Sequence, residues 1–559
     1  MAPDIILGPI LRHVGSSDAT VWVETDAACE VEVRAGGSSH RSPTFTVEGH
    51  HYALVTVTGL EPGAVYEYEV RLDGDVVWPE PGSSFPPSEI RPIPPEGDLT
   101  LAFGSCRVSV PHEPPYTEKR GVIMRGGVSG KRFSHDALYA LALRMRRQPS
   151  EEWPDALLLL GDQIYADDIS MGTREFIRSR RDTSQPPGEE VADFEEYTHL
   201  YWDAWKNPVI RWLLSTVPSA MIFDDHDVHD DWNTSKAWVR QMRSKPWWEE
   251  RIVGAFMSYW IYQHLGNLSP QELNEDDLFR RVREAKDATR TLREFAYEAD
   301  REVAGSRWSF HRDFGNVRLI MMDSRAGRVL DEDKRSMLDP EEWAWIEDKA
   351  TGDFDHLLFG TSLPCLLSPG LHHLEAWNEA VCRGAWGSLA ARLGESIRQA
   401  LDLEHWSAFH SSFAALTQLL RAVGAGDRSE GHPPASMVIL SGDVHHGYLA
   451  ETDLGDGVES AVYQAVCSPL RNPLGIPERL ALHAGWTKTG ERIGKALARL
   501  ARVEEPRVRW RLTHKEPWFS NHVGTLELRG REATLRVEET APEDGREPRL
   551  YTILERRLA

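Results

Sequence analysis

One stretch constrains this chain more than any other. In MIFDDHDVHDDWN, residues 221–233, five Asp and two His fall within the ten residues 224–233, directly behind an apolar run. Carboxylates packed this closely after a buried strand repel one another, and burial makes each charge costlier, unless cations neutralise them. A solvated acidic loop is the alternative reading, but it has no need of such density. The run asks for a fold that ends a buried strand at a cation-binding site.

The surrounding sequence supplies one. From Leu99 onward short apolar runs alternate with helical stretches, an α/β pattern. The predicted strands are LTLAFGSC, DALLLLGD, SAMIFDDHD, VRLIMMDSR, HLLFGTSL and MVILSGDVH, read as members of one sheet. Helical tracts are expected over 195–215, 236–264, 272–303 and 374–423. The near-helical spacing of Trp202, Trp205, Trp212, Trp247, Trp248 and Trp260 predicts core packing or a cleft wall. After Tyr448 the chain returns to strands, with GTLELRG, ATLRVEE and LYTILERR closing a sheet edge or forming a small β subdomain.

Residues before 95 obey another pattern. Ala19, Val21 and Val23 alternate with Thr20, Trp22 and Glu24, and further short runs over 31–34, 44–47, 52–57 and 66–72 predict a small β-sandwich. GLEPGAVYEYEV resembles the end of a fibronectin type III domain. The Pro-rich WPEPGSSFPPSEIRPIPPEG reads as a linker of restricted flexibility, giving domains 1–95 and 96–559.

Ligands of open α/β sheets gather beyond the carboxyl ends of the strands, and every candidate site residue lies there. FGSC ends in Cys106, which alone reads equally as a small buried hydrophobe. GDQIY carries Asp162 and Tyr165, a carboxylate placed to bridge two cations with a second oxygen donor three residues on. DDHD carries Asp225 and His226, with Asp224, Asp227, Asp230 and Asp231 as further candidates. DSR carries Asp323 and Arg325, which also fit a structural ion pair. SGDVHH carries Asp443 and His445 on one turn, with His446 in a supporting place; the pair His372 and His373 reads as the start of a helix.

GSC, GDQIY, DDHD, DSR and SGDVH stand in the order found in the PhoD-like alkaline phosphatases, and the chain resembles that branch of the calcineurin-like metallophosphoesterases. The resemblance implies a metallophosphoesterase β-sandwich flanked by helices, preceded by a fibronectin/immunoglobulin-like β-sandwich. It also implies an iron–calcium centre. Cys106, Asp162, Tyr165, Asp443 and His445 would surround Fe(III), and Asp162 would bridge to calcium with Asp225 on the calcium side. The donor chemistry agrees: thiolate with phenolate suits Fe(III), and carboxylates at 225 and 443 make a hard, oxygen-rich half that suits calcium. Another divalent metal is the alternative, and Asp230 with Asp231, where some members have an Asn pair, leave a second calcium open. The implied reaction is in-line attack of a metal-bound hydroxide on a phosphate mono- or diester. His226 would protonate or orient the leaving oxygen, and Arg325 or Arg107 would contact substrate.

Composition excludes several other classes. Lys+Arg 63 against Asp+Glu 87 gives a net charge of −24, which repels nucleic acid and anionic membranes unless a local basic patch intervenes. No apolar run is long enough to cross a bilayer, five scattered Cys form no CxxC pair, and no leader is visible, so a cytoplasmic protein with reduced thiols is expected. There is no nucleotide-binding Gly-rich loop and no G-x-S-x-G elbow. The expected partner is a small-molecule or polymeric phosphate ester. The competing readings are a purple-acid-phosphatase-like enzyme or nuclease of the same fold, and a non-enzymatic binding protein with a vestigial metal site.

Overall fold

A computed structural model describes residues 2–114, 116–117, 133–541 and 547–559. The N-terminal part holds two antiparallel sheets around a shared core. One orders Ile5–Val14, Asp18–Thr25, His50–Thr58 and Phe45–Val47. The other orders Ser38–Pro43, Glu30–Ala35, Tyr66–Leu72 and Asp75–Trp78, with Glu89–Ile90 paired to Tyr66–Leu72. The expected alternation of Asp18–Thr25 gives way to burial of both faces. Trp22 is fully buried because its face packs on the ring of Tyr262, 5.2 Å away, rather than meeting water.

The Pro-rich passage is bonded down along its length. Trp78 donates to Ser88 Oγ, Ser88 Oγ lies 2.6 Å from Ser215 Oγ, and the amide of Glu89 donates to Thr216 Oγ1. Trp212 donates to the Pro86 carbonyl. The passage is thus held against the helix Pro208–Thr216.

All six predicted α/β strands form, but they divide between two sheets rather than sharing one. Ser219–Ile222, Ala156–Leu160 and Leu99–Gly104 run parallel, followed by the antiparallel His522–Arg529, Glu532–Ala541 and Arg549–Arg557. The C-terminal strands therefore extend this first sheet. The second orders Phe310–Phe314, Val317–Met322, His356–Thr361, Ser436–Ser441, Ala461–Val466, Tyr448–Asp453 and Arg509–Leu512, parallel from Val317–Met322 through Ala461–Val466. Uniform burial of runs such as HLLFGT and SMVILS signals two covered faces without saying which sheet a strand joins. The sheets converge at their carboxyl ends. A Cβ on Gly442 would fall 2.0 Å from Ser105 Oγ, and one on Gly161, at φ 108°, would fall 3.2 Å from Ser362 Cβ, so glycine permits the approach.

Local chemistry breaks the expected helical tracts. Asn207 caps Pro208–Thr216 through its side chain, with Pro at the first turn, splitting the tract from Phe194–Trp205. Ser269 and Glu272 form a capping box ahead of Pro270–Glu275. Trp260–His264 adopts a π-helical turn, a geometry concentrated at functional sites. After Tyr448 the expectation of strands alone is corrected: helices Ile476–Gly485 and Lys488–Leu500 intervene. Most of the tryptophans pack inside, with Trp205, Trp212, Trp248 and Trp260 buried. Among the described residues no helix is long and apolar enough to cross a membrane.

Candidate metal centre

Four expected donors occupy one backbone geometry. Cys106, Asp162, Asp443 and His445 have φ of 54°, 51°, 63° and 50°, left-handed turns taken just past a strand. Outside glycine such turns favour Asp, Asn and His, and they aim the side chains away from the sheet. The ends interlock, since Asp443 N donates to Ser105 Oγ at 3.2 Å and Leu470 N donates to the Ser105 carbonyl. Tyr165 donates to Asp162 Oδ2 at 3.4 Å and receives Asn472 Nδ2 at 3.2 Å. Cys106 Sγ lies 3.5 Å from the Asp443 carbonyl.

The carboxylates of Asp162, Asp224 and Asp225 bring oxygens within 4.8 Å of one another, all in buried residues. Asp162 Oδ1 and Asp224 Oδ2 are buried and meet no hydrogen-bond donor among the described residues. Buried carboxylate oxygens without donors are costly, and a cation is what this arrangement fits. Burial, then mutual repulsion, pushes Asp162 well above the usual carboxylate range. Asp224 is pushed up likewise, by burial first, with Arg325 opposing. Burial also raises the thiol of Cys106 and the phenol of Tyr165, each reinforced by the negative charge of Asp162.

Arg325 is fully buried among these groups. Its Nε bonds Asp224 Oδ1, its Nη1 lies 2.6 Å from Glu404 Oε1, and its Nη2 lies 3.1 Å from Asp225 Oδ1 and 3.4 Å from Asp443 Oδ1. The expected substrate contact gives way to a counter-ion position beneath the carboxylates. Arg107 is likewise engaged, with Asp136 at 2.8 Å and the Ala204 carbonyl. Asp323 accepts the amides of Arg325, Ala326 and Gly327 and so shapes the turn that presents Arg325.

His226 sits at the rim. Its Nδ1 is 2.9 Å from Asp167 Oδ1, its ring packs 4.7 Å from that of Tyr165, and its Nε2 is 3.8 Å from Asp230 Oδ1. Burial opposes its charge, yet Asp167 and Asp225 hold it well above the usual imidazole range. Asp167, His226 and Asp230 form a second group with metal-ligand spacing. Asp227 Oδ2 accepts the amides of Asp162 and Asp224, which makes Asp227 a brace for the two loops. Asp231 N donates to Asp225 Oδ2, and its own carboxyl is pushed up to about 9, by burial first and then by Glu404 and Asp402.

Several participants had no sequence signal. His405 Nε2 lies 3.3 Å from Asp443 Oδ2, while its Nδ1 lies 2.7 Å from the buried Glu375. Glu404 joins Arg325 to Arg328. None of Glu375, Glu404 and His405 follows a strand, and no local motif marks them; Asp167, two residues past GDQIY, stands beside one. His446 is supporting, with Nδ1 on the Val444 carbonyl and its ring against Tyr448 and Phe519. His372, on the helix Pro369–Cys382 that also carries His373, packs between Phe413 and Trp510.

A family model described as PhoD-like phosphatase matches residues 124–351. Over that span the chain is similar to the PhoD-like phosphatases. The PhoD-like span contains Asp162, Tyr165, Asp225, His226 and Arg325; Cys106, Asp443 and His445 lie outside it. Residues 2–90 match a domain of unknown function (DUF7800). A solved structure titled "Structure of PhoD" superposes with a TM-score of 0.59 at 11% identity, covering 100% of this chain and 92% of that one, which establishes a shared fold. A purple acid phosphatase from yellow lupin (Lupinus luteus) seeds aligns at 10% identity with a TM-score of 0.46, over 96% of this chain and 72% of that one. Among curated proteins none matches.

Proposed function

We propose that this PhoD-like chain is a metal-dependent phosphoesterase that hydrolyses phosphate mono- or diesters. The observation that carries the reading is the group Asp162, Asp224 and Asp225, buried at the ends of parallel strands, in which Asp162 Oδ1 and Asp224 Oδ2 meet no donor among the described residues. Cys106, Asp162, Tyr165, Asp443 and His445 would hold Fe(III), and Asp162 with Asp225 would hold calcium; Asp224 is added to the oxygen-rich side. Bound cations supply an activated water and offset the charge that develops on the phosphate.

The protein's own groups do the rest. Arg325 neutralises part of the carboxylate charge from below and keeps the donors apart. Asp167 on Nδ1 fixes the tautomer and orientation of His226, leaving Nε2–H, on a partly exposed ring, to protonate the leaving oxygen. Residues 1–95 would form a fibronectin-like buttress of the catalytic part, 96–559, rather than a separate binding module, because Arg12 and the Pro-rich passage bond directly to it.

Metal analysis paired with turnover of p-nitrophenyl phosphate and bis-p-nitrophenyl phosphate tests the reading. The expected protein contains iron and calcium, shows a visible tyrosinate–Fe(III) charge-transfer band, and loses turnover and metal together in Asp162→Asn. A metal-loaded Asp162→Asn variant with full activity would refute the bridging role. A colourless, zinc-loaded active enzyme would refute the metal assignment alone.

A further inference from the structure

The helices Ser388–Ala400 and Lys488–Leu500 both pack on the helix Pro369–Cys382. Each seats through a glycine. Asn378 Nδ2 donates to the Gly394 carbonyl, and a Cβ on Gly494 would fall 2.7 Å from the Gly370 carbonyl. Trp386 Nε1 donates to the Leu500 carbonyl at 3.2 Å, tying the start of one outer helix to the end of the other. No residue of Pro369–Cys382 is exposed, so the two outer helices form a covering layer with their far faces in solvent.

Those far faces are apolar where the rest of the surface is not. Of eleven large apolar side chains exposed among the described residues, six lie here: Trp386, Leu389, Leu393, Leu401, Ile493 and Leu500, at 44–76% exposure. Leu389 and Leu393 stand one helical turn apart, and Ile493 and Leu500 two turns apart, so each helix shows a stripe. Arginines flank the stripes, Arg392 beside Leu393 and Arg492 beside Ile493, all exposed. Lys488–Leu500 carries Lys488, Arg492, Lys495 and Arg499 against Glu491 alone. The one acidic residue of each helix is half-buried and paired: Glu395 bonds Arg398, and Glu491 bonds Lys495. In a chain of net charge −24, these two neighbouring helices expose Arg392, Lys488, Arg492 and Arg499 and no carboxylate of their own; just beyond them the exposed Glu505 bonds Arg499 and leaves the other three cations free of it.

From this charge and apolar pattern we propose that the outer face of Ser388–Ala400 and Lys488–Leu500 docks the protein on an anionic phospholipid bilayer. Apolar side chains enter the interface, arginines meet lipid phosphates, and Trp386 lies at headgroup depth. The rest of the molecule is repelled by such a surface, which restricts contact to this face and makes it salt-sensitive. A second copy of the chain would instead bring two basic faces of like charge together across a two-fold contact.

Co-sedimentation of the full chain with vesicles of phosphatidylcholine, alone or mixed with phosphatidylglycerol, tests this. Binding to the mixed vesicles should be roughly tenfold tighter or more, and should weaken with added salt. The pairs Leu389→Ser with Leu393→Ser, and Arg392→Glu with Arg492→Glu, should each lower it roughly tenfold, with unfolding midpoint and turnover of a soluble ester unchanged. Equal affinity for both vesicle types, or wild-type binding by both variant pairs, would overturn the proposal. So would a wild-type dimer that the Leu pair splits, which would assign the face to a second copy.

Discussion

Gln263 donates from Nε2 to Oδ1 of Asp227 at 3.0 Å. The other oxygen of Asp227 holds the amides of Asp162 and Asp224, and the carbonyls of Tyr262 and Gln263 accept from Arg12 in the first strand of the chain. A continuous set of hydrogen bonds thus links the N-terminal sheets to the backbone of two carboxylate residues of the candidate metal centre. Gln263→Leu removes the donor and leaves Asp227 Oδ1 unsatisfied, a cost of about 1–3 kcal/mol. The expected result is a lower urea midpoint together with reduced metal per chain at limiting metal. Unchanged metal content would show that the brace does not reach the ligands.

Arg325→Met should make stability depend more steeply on cations. Removing a buried charge from its partners costs about 3–5 kcal/mol, and here the stranded partners are carboxylates that a cation can satisfy. Unfolding with and without a chelator is the measurement. The gap between the two curves should widen in the variant.

His226→Gln and Asp167→Asn should both slow turnover, but unequally across substrates. A leaving-group acid contributes on the order of 100-fold or more for a basic leaving oxygen and little for p-nitrophenolate. Comparing alkyl or phenyl esters with the p-nitrophenyl ester reads this directly. Equal losses on all of them would remove His226 from the proton step and leave it an orienting role.

Glu375→Gln weakens the hold on His405 and, through it, on Asp443. Groups that orient metal ligands typically affect metal affinity by about 10–100-fold. Metal titration of the variant at constant pH should show a loss in that range, with the thermal transition of the metal-loaded protein little changed.

His50 joins the N-terminal sheet to the helix Phe194–Trp205, with Nδ1 2.9 Å from Glu24 and Nε2 2.8 Å from Glu195. Burial opposes its charge, but the two carboxylates raise its pKa to about 9. A raised folded-state pKa stabilises below the unfolded value near 6.5, and that contribution is lost as pH climbs through about 9. The upper bound is about 3 kcal/mol. Urea midpoints across that window should fall in the wild type and stay flatter in His50→Gln.

Sequence made the strand ends legible because the leading donor of each motif follows an apolar run within two or three residues. LLLLGD places Asp162 as plainly as VILSGD places Asp443. What no run announces is a partner delivered by a distant turn. Glu404 and His405 reach the centre from a segment between helices, and Gln263 reaches Asp227 from a π-helical turn. The division into two sheets was hidden for a related reason, since strands buried on both faces look alike whichever neighbour they take. Within DDHD the order of residues could not separate Asp224 from Asp225, and only the packing of Gly161 against Asp224 draws Asp224 into the cluster.

The left-handed backbone at positions 106, 162, 443 and 445 filters what inheritance can place there before any chemistry is asked of it. Asp, Asn, His and Gly adopt that conformation with least penalty, while β-branched residues resist it. Donor exchange among Asp, Asn and His is therefore the open evolutionary route at three of these positions. A saturation library should return mostly folded proteins from that small set, whatever their activity. Cys106 is the outlier, a residue with no such backbone preference, and its persistence there would have to be selected by what its sulfur does.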